Sequence, residues 1–232
     1  MDKVRIAINS TPRSGHAWLQ SVLMNSTGRK PEISHDDVAD QFIIRSNTPV
    51  MLLANFENVI QTTILRDPAS IIPSIVTKTI GGLGNTTTAG IAMPHEHMGN
   101  LELKNLITHQ FSVYRRWVDG ITNNIDNLMP FTFEQVTTDI EFCTRSILDN
   151  FDIDYYLYSN DEIPKLIENV QRQIKIHDKG DIGYNNATPV TKKPDVYYEA
   201  VDIVSNHRLL PAAIGIYNDA VEKIYKRQES YA

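Results

Sequence analysis

Val4-Arg5-Ile6-Ala7-Ile8-Asn9-Ser10-Thr11-Pro12-Arg13-Ser14-Gly15-His16-Ala17-Trp18-Leu19 is the stretch on which the fold turns. Its first six residues are short, apolar and β-branched, which reads as a buried strand. Ser10 to Gly15 is turn chemistry. Trp18, Leu19, Val22 and Leu23 then recur at helical spacing, and Thr27-Gly28-Arg29-Lys30-Pro31 ends the helix. A strand, a tight loop and a helix in this order make the first half of a parallel β-α-β unit.

The rhythm repeats. Val50 to Leu53 is the expected second strand, and Val59-Ile60-Gln61-Thr62-Thr63-Ile64-Leu65 is a clear later one. Arg66-Asp67-Pro68 breaks it, and an apolar helix is expected from Ala69 to Thr79. Such alternation predicts an α/β fold with a central parallel sheet, whose ligands bind beyond the carboxyl ends of the strands. From Ile80 to Asn100 five glycines, three threonines and a proline leave no period, as in a lid or binding loop. Further helices are expected over Leu101–Asn127, Val136–Phe151, Ile163–Ile176 and within Tyr197–Tyr225. Phe131-Thr132-Phe133 reads as a short strand and Lys179–Pro194 as loop. The length suits a single domain, 1–232, with its motifs in 4–155 and a helical C-terminal part, 156–232.

Both strand-to-helix loops lie at the sheet edge where ligands bind. In the first, the loop's amides and the positive end of the helix dipole converge on one spot, a geometry suited to phosphate or sulfate oxygens. Gly15 lets the backbone approach, Ser14 adds a hydroxyl, and Arg13 adds a permanent charge with a forked donor set. In the second, Arg66 follows the strand and Ser74 comes two helical turns later. A bend at Asp67-Pro68 lets both reach one phosphate. The plainer alternatives are an ordinary turn at the first loop and, at the second, an Arg66–Asp67 pair with Ser74 merely exposed.

Together these segments resemble the PAPS-dependent sulfotransferases. Thr11-Pro12-Arg13-Ser14-Gly15-His16-Ala17-Trp18-Leu19 is similar to the family's 5′-phosphosulfate loop. Leu65-Arg66-Asp67-Pro68-Ala69-Ser70-Ile71-Ile72-Pro73-Ser74 is similar to its 3′-phosphate motif, and Phe131-Thr132-Phe133-Glu134-Gln135-Val136 to its strand-Tyr-Glu-Asp-Leu segment. The resemblance implies a three-layer α/β/α sandwich, a P-loop NTPase-like sulfotransferase fold. It implies 3′-phosphoadenosine 5′-phosphosulfate (PAPS) as donor, 3′-phosphoadenosine 5′-phosphate (PAP) as product, and sulfuryl transfer to a hydroxyl or amine. Arg13 would neutralise charge near the bridging oxygen, and Ser14, Gly15, His16, Ala17 and Trp18 would surround the 5′-phosphate, with Trp18 near the adenine. Arg66 and Ser74 would hold the 3′-phosphate. This chain departs from the family pattern at His16-Ala17, where many members carry two hydroxyl residues; the His16 ring can donate instead. A second departure is the C-terminal Arg-Lys-Gly segment, of which Lys179-Gly180-Asp181 is only a loose echo.

For the base that takes the acceptor proton, the family points beyond the first helix, where this chain has Ser34-His35-Asp36-Asp37. An ordinary histidine titrates near neutrality, so His35 suits the role; Asp36 is the substitute. The same four residues read equally well as a helix N-cap with an acidic first turn. His95-Glu96-His97 has two metal-ligand types but no third ligand, so no metal is expected. Cys143 sits in an apolar periodic stretch and reads as a core thiol.

Composition narrows the partners. There are 22 Lys and Arg against 28 Asp and Glu, a net charge of −6, so a general affinity for nucleic acid or an anionic membrane is not expected. One cysteine, no leader-like segment and no long apolar run point to a soluble protein of the reducing cytoplasm. The acceptor stays open among small-molecule, carbohydrate and peptide hydroxyls. Two other functions compete: a P-loop-type kinase, which would need the Gly-x-x-x-x-Gly-Lys-Ser/Thr signature this chain lacks, and a nucleotide-binding protein with impaired catalysis.

Overall fold

The computed structural model describes residues 5–10, 13–28, 43–46, 59–80, 100–176 and 195–230. Four strands form its sheet: β1 (Arg5–Asn9), β2 (Ile43–Ser46), β3 (Val59–Leu65) and β4 (Met129–Thr132). They lie in the order β2-β1-β3-β4 and every pairing is parallel, with Ile6 opposite Ile43, Arg5 opposite Val59 and Thr62 opposite Met129. Parallel neighbours cannot be joined by tight turns, so helices must carry the chain back. Helix α1 (His16–Thr27) follows β1, and α2 (Pro68–Ile80) follows β3. Helix α3 (Asn100–Asn123) precedes β4, and α4 (Phe133–Thr138), α5 (Ile140–Leu148), α6 (Ile163–Ile176), α7 (Asp195–Ser205) and α8 (Leu210–Gln228) follow it. The expected α/β class with a parallel sheet is what the chain forms.

Two hydrophobic clusters account for the core. Ile6, Ile8 and Ile64 join α1, α4, α5 and α6 in one; Leu65 joins α2, α3, α7 and α8 in the other. Ile64 and Leu65 are consecutive on β3, and successive strand side chains point to opposite faces. Each face of the sheet is therefore covered by helices, as a parallel sheet requires. Cys143, fully buried in the first cluster, is the core thiol expected of it.

Several boundaries differ from expectation. Phe131-Thr132-Phe133 is not a strand throughout: Thr132 ends β4 and caps α4, accepting from the Gln135 amide at 3.2 Å while Gln135 Oε1 accepts from the Thr132 amide at 2.9 Å. That reciprocal pair makes Phe133 the first helical residue. The single helix expected over 136–151 is two, because Asp139 turns the chain and caps α5. The helix expected to reach Asn127 ends at Asn123 and is followed by one 3₁₀ turn, Ile125–Asn127. Strand β2 lies at Ile43–Ser46, where no strand was expected; the strand expected at Val50–Leu53 lies outside the described residues, as do the loop expected at 179–194 and all of the loop expected at 80–100 except Ile80 and Asn100, which are helical. No described helix is long and apolar enough to cross a membrane.

Candidate functional site

The two strand-to-helix loops meet beyond the carboxyl ends of β1 and β3. Arg13 Nε donates to Ser74 Oγ at 3.1 Å, and Arg66 Nη1 donates to the Arg13 carbonyl at 2.9 Å. Three residues singled out from two separate motifs are thus one connected unit. The alternative of an exposed Ser74 is excluded, since that residue is 6% exposed.

The first loop is tightly wound. Arg13 has φ 69° and Gly15 φ 93°. A left-handed backbone costs a non-glycine residue roughly 1–2 kcal/mol, and here it is adopted by the arginine that makes the contacts. At Gly15 glycine is required twice over: by its φ, and because a Cβ there would lie 3.2 Å from Cδ2 and 3.3 Å from Cε2 of Phe133. Helix α1 begins at His16; Leu19 N–H makes its first bond to Gly15 O at 3.0 Å, and no side chain caps this end. The amides of Ala17 and Trp18 precede that first bond and belong to the positive end of the helix dipole.

Two expected roles in this loop are corrected by the geometry. The Ser14 hydroxyl is turned inward, 0% exposed, and donates to Ser10 Oγ at 2.9 Å. Through that bond it braces the loop. Trp18 is 8% exposed within the first core cluster, and its indole N–H donates to the Val136 carbonyl at 3.0 Å. Its face is committed to the core, so it offers no platform for an adenine. Ala17 is buried as well.

Arg66 has its own supports. Its guanidinium carbon stands 4.0 Å from the centroid of the Phe133 ring, and the Tyr114 hydroxyl donates to its carbonyl at 3.0 Å. Asp67, offered as a simple partner for Arg66, also uses its carboxylate to accept from the Ser70 amide at 2.8 Å, capping α2. Arg66 Nε is buried with no hydrogen-bond partner among the described residues. Burial lowers the pKa of Arg13, and the neighbouring charge of Arg66 lowers it further. Burial lowers Arg66 too, against the opposing pull of Asp67, Tyr197 and Glu134. Both remain cations at neutral pH. Two like charges held half-buried side by side are an arrangement that a multiply charged anion can neutralise.

Four residues near Arg66 were not singled out for the site by sequence reasoning: Phe133, Tyr114, Tyr197 and Tyr217. The Tyr217 hydroxyl donates to Glu134 Oε2 at 3.4 Å. Burial pushes the Tyr114 and Tyr217 phenols well above the ordinary tyrosine range, so both act as donors at physiological pH. Only Phe133 had a readable signal, its place in the third motif; the tyrosines come from helices far along the chain.

His35 and Asp36 lie outside the described residues, as do His95, Glu96 and His97. Tyr158 is buried, Tyr155 packs at the core edge and Tyr156 is half exposed. His109 is exposed on α3. Among the described residues no group of three or more His, Cys, Asp or Glu could hold a metal ion. No protein-family model matches this chain, and no curated protein matches it in sequence.

Proposed function

We propose that this chain binds PAPS where its first two strand-to-helix loops meet and transfers the sulfuryl group to a hydroxyl or amine. The observation that carries the reading is the Ser74–Arg13–Arg66 link. Two cations from separate loops, joined at the end of a parallel sheet, suit a ligand phosphorylated at two positions better than one with a single phosphate. The helices on both faces of the sheet support the finer description, a three-layer α/β/α sandwich of P-loop-like sulfotransferase type.

In this reading the first loop and the start of α1 hold the 5′-phosphosulfate, while Arg66 and Ser74 hold the 3′-phosphate. The acceptor oxygen or nitrogen attacks sulfur in line. The bond from sulfur to the bridging phosphate oxygen breaks, PAP departs, and the acceptor proton passes to a base, a role we assign to His35 with Asp36 as substitute. Arg13 offsets the charge growing on the departing oxygen. Sulfuryl transfer then depends on positioning and electrostatics, as phosphoryl transfer does.

Calorimetry with PAP tests the site. Binding in the micromolar range is expected, and Arg13→Ala and Arg66→Ala should each weaken it by roughly 10- to 100-fold, the weight of a hydrogen bond to a charged group. No binding by the wild type at millimolar PAP would overturn the reading. Turnover of labelled PAPS with a mixed panel of hydroxyl and amine acceptors, without added magnesium, separates transferase from nucleotide-binding protein.

A further inference from the structure

We propose that Phe133 is the positioning residue for Arg66, and that through it the chain discriminates ligands carrying a 3′-phosphate from those without one. The inference rests on the donor-site reading above and deepens it. Three observations bear on the place of this ring. The Arg66 guanidinium lies 4.0 Å from its centroid. Its Cδ2–Cε2 edge occupies the space a side chain at position 15 would need. The Thr132–Gln135 capping pair sets Phe133 at the first position of α4 and so fixes where the ring is placed.

The chemistry explains why a ring is suited to this place. A carboxylate partner would consume the N–H donors of Arg66, and both Asp67 and Glu134 act electrostatically on it. An aromatic face attracts the guanidinium through its quadrupole and leaves the in-plane donors available. One of those donors already holds the Arg13 carbonyl, and Nε has no partner among the described residues. Arg66 is therefore oriented before a ligand arrives, which removes part of the ordering cost of binding.

The test compares PAP with adenosine 5′-phosphate, which lacks the 3′-phosphate, on folded wild type, Phe133→Leu, Phe133→Met and Phe133→Tyr. Phe133→Leu and Phe133→Met should lose about tenfold in PAP affinity with adenosine 5′-phosphate affinity unchanged, and Phe133→Tyr, which keeps the ring, should retain the wild-type ratio. An unchanged ratio in Phe133→Leu, or equal losses for both ligands, would overturn the positioning role while leaving the donor site intact. Absence of PAP binding in the wild type would overturn the donor site instead. A second readout needs no ligand: the Arg66 side-chain resonances should be shifted upfield by the ring current in the wild type and not in Phe133→Leu. Ordinary arginine shifts in the wild type would also refute the positioning role.

Discussion

Gly15 shows how little freedom the first loop has. With φ 93° and a phenyl ring 3.2 Å from where a Cβ would be, Gly15→Ala adds backbone strain and forces Phe133 to move. A loss of roughly 1–3 kcal/mol is expected, read as a lower urea midpoint with an unchanged slope; a wild-type midpoint would refute the contact. At this scale the reading from sequence was uneven. Arg13, Arg66 and Ser74 were legible because each sits at a strand end or helix start, where chemistry and chain punctuation coincide. Trp18 was misassigned although the signal was present, since Trp18, Leu19, Val22 and Leu23 form one apolar face and all are buried. The part played by Phe133 was hidden, because it depends on contacts with residues far away in the chain.

At the scale of elements, the errors have a common cause. Phe131-Thr132-Phe133 has strong β propensity, yet Thr132-x-x-Gln135 is also a capping box, and the cap determines where β4 stops. Thr132→Ala should destabilise the protein by about 1 kcal/mol, measured by chemical denaturation. No change would mean that the cap does not hold α4. Asp139 worked in the same way, dividing one expected helix into two. By contrast, β3 and α6 were expected with the boundaries they have, and α2 differs by one residue at each end. Long periodic segments bounded by clear breakers are legible; short elements such as Ile43–Ser46 are not, because four residues carry no period of their own.

For the whole molecule, each core cluster contains a group whose ionisation burial strongly opposes. Cys143 lies in the first cluster and Tyr114 in the second, and burial is the main cause that raises both pKa values above the ordinary ones. A raised acid is favoured in its neutral form by the folded state. Its contribution is complete below the unfolded pKa, about 8.5 for the thiol and about 10 for the phenol, and is lost as pH climbs above those values. Stability should therefore fall between pH 8 and 10.5, by about 1.4 kcal/mol per pH unit for each group that ionises only when unfolded. Urea midpoints across that range measure it, and Cys143→Ala should flatten the first part of the decline. A flat profile in the wild type would contradict the burial of these groups. The parallel sheet was legible from the alternation of strand, loop and helix, but the order β2-β1-β3-β4 was not, since no local pattern states which strands are neighbours. The Arg13–Ser74 bond has a consequence at this scale. Arg13 leads into α1, packed in one cluster, and Ser74 belongs to α2, packed in the other. The proposed ligand site therefore joins the ends of two helices packed on opposite faces of one sheet. Local opening at either helix end should part this bond before the cooperative melt, while both cores stay buried.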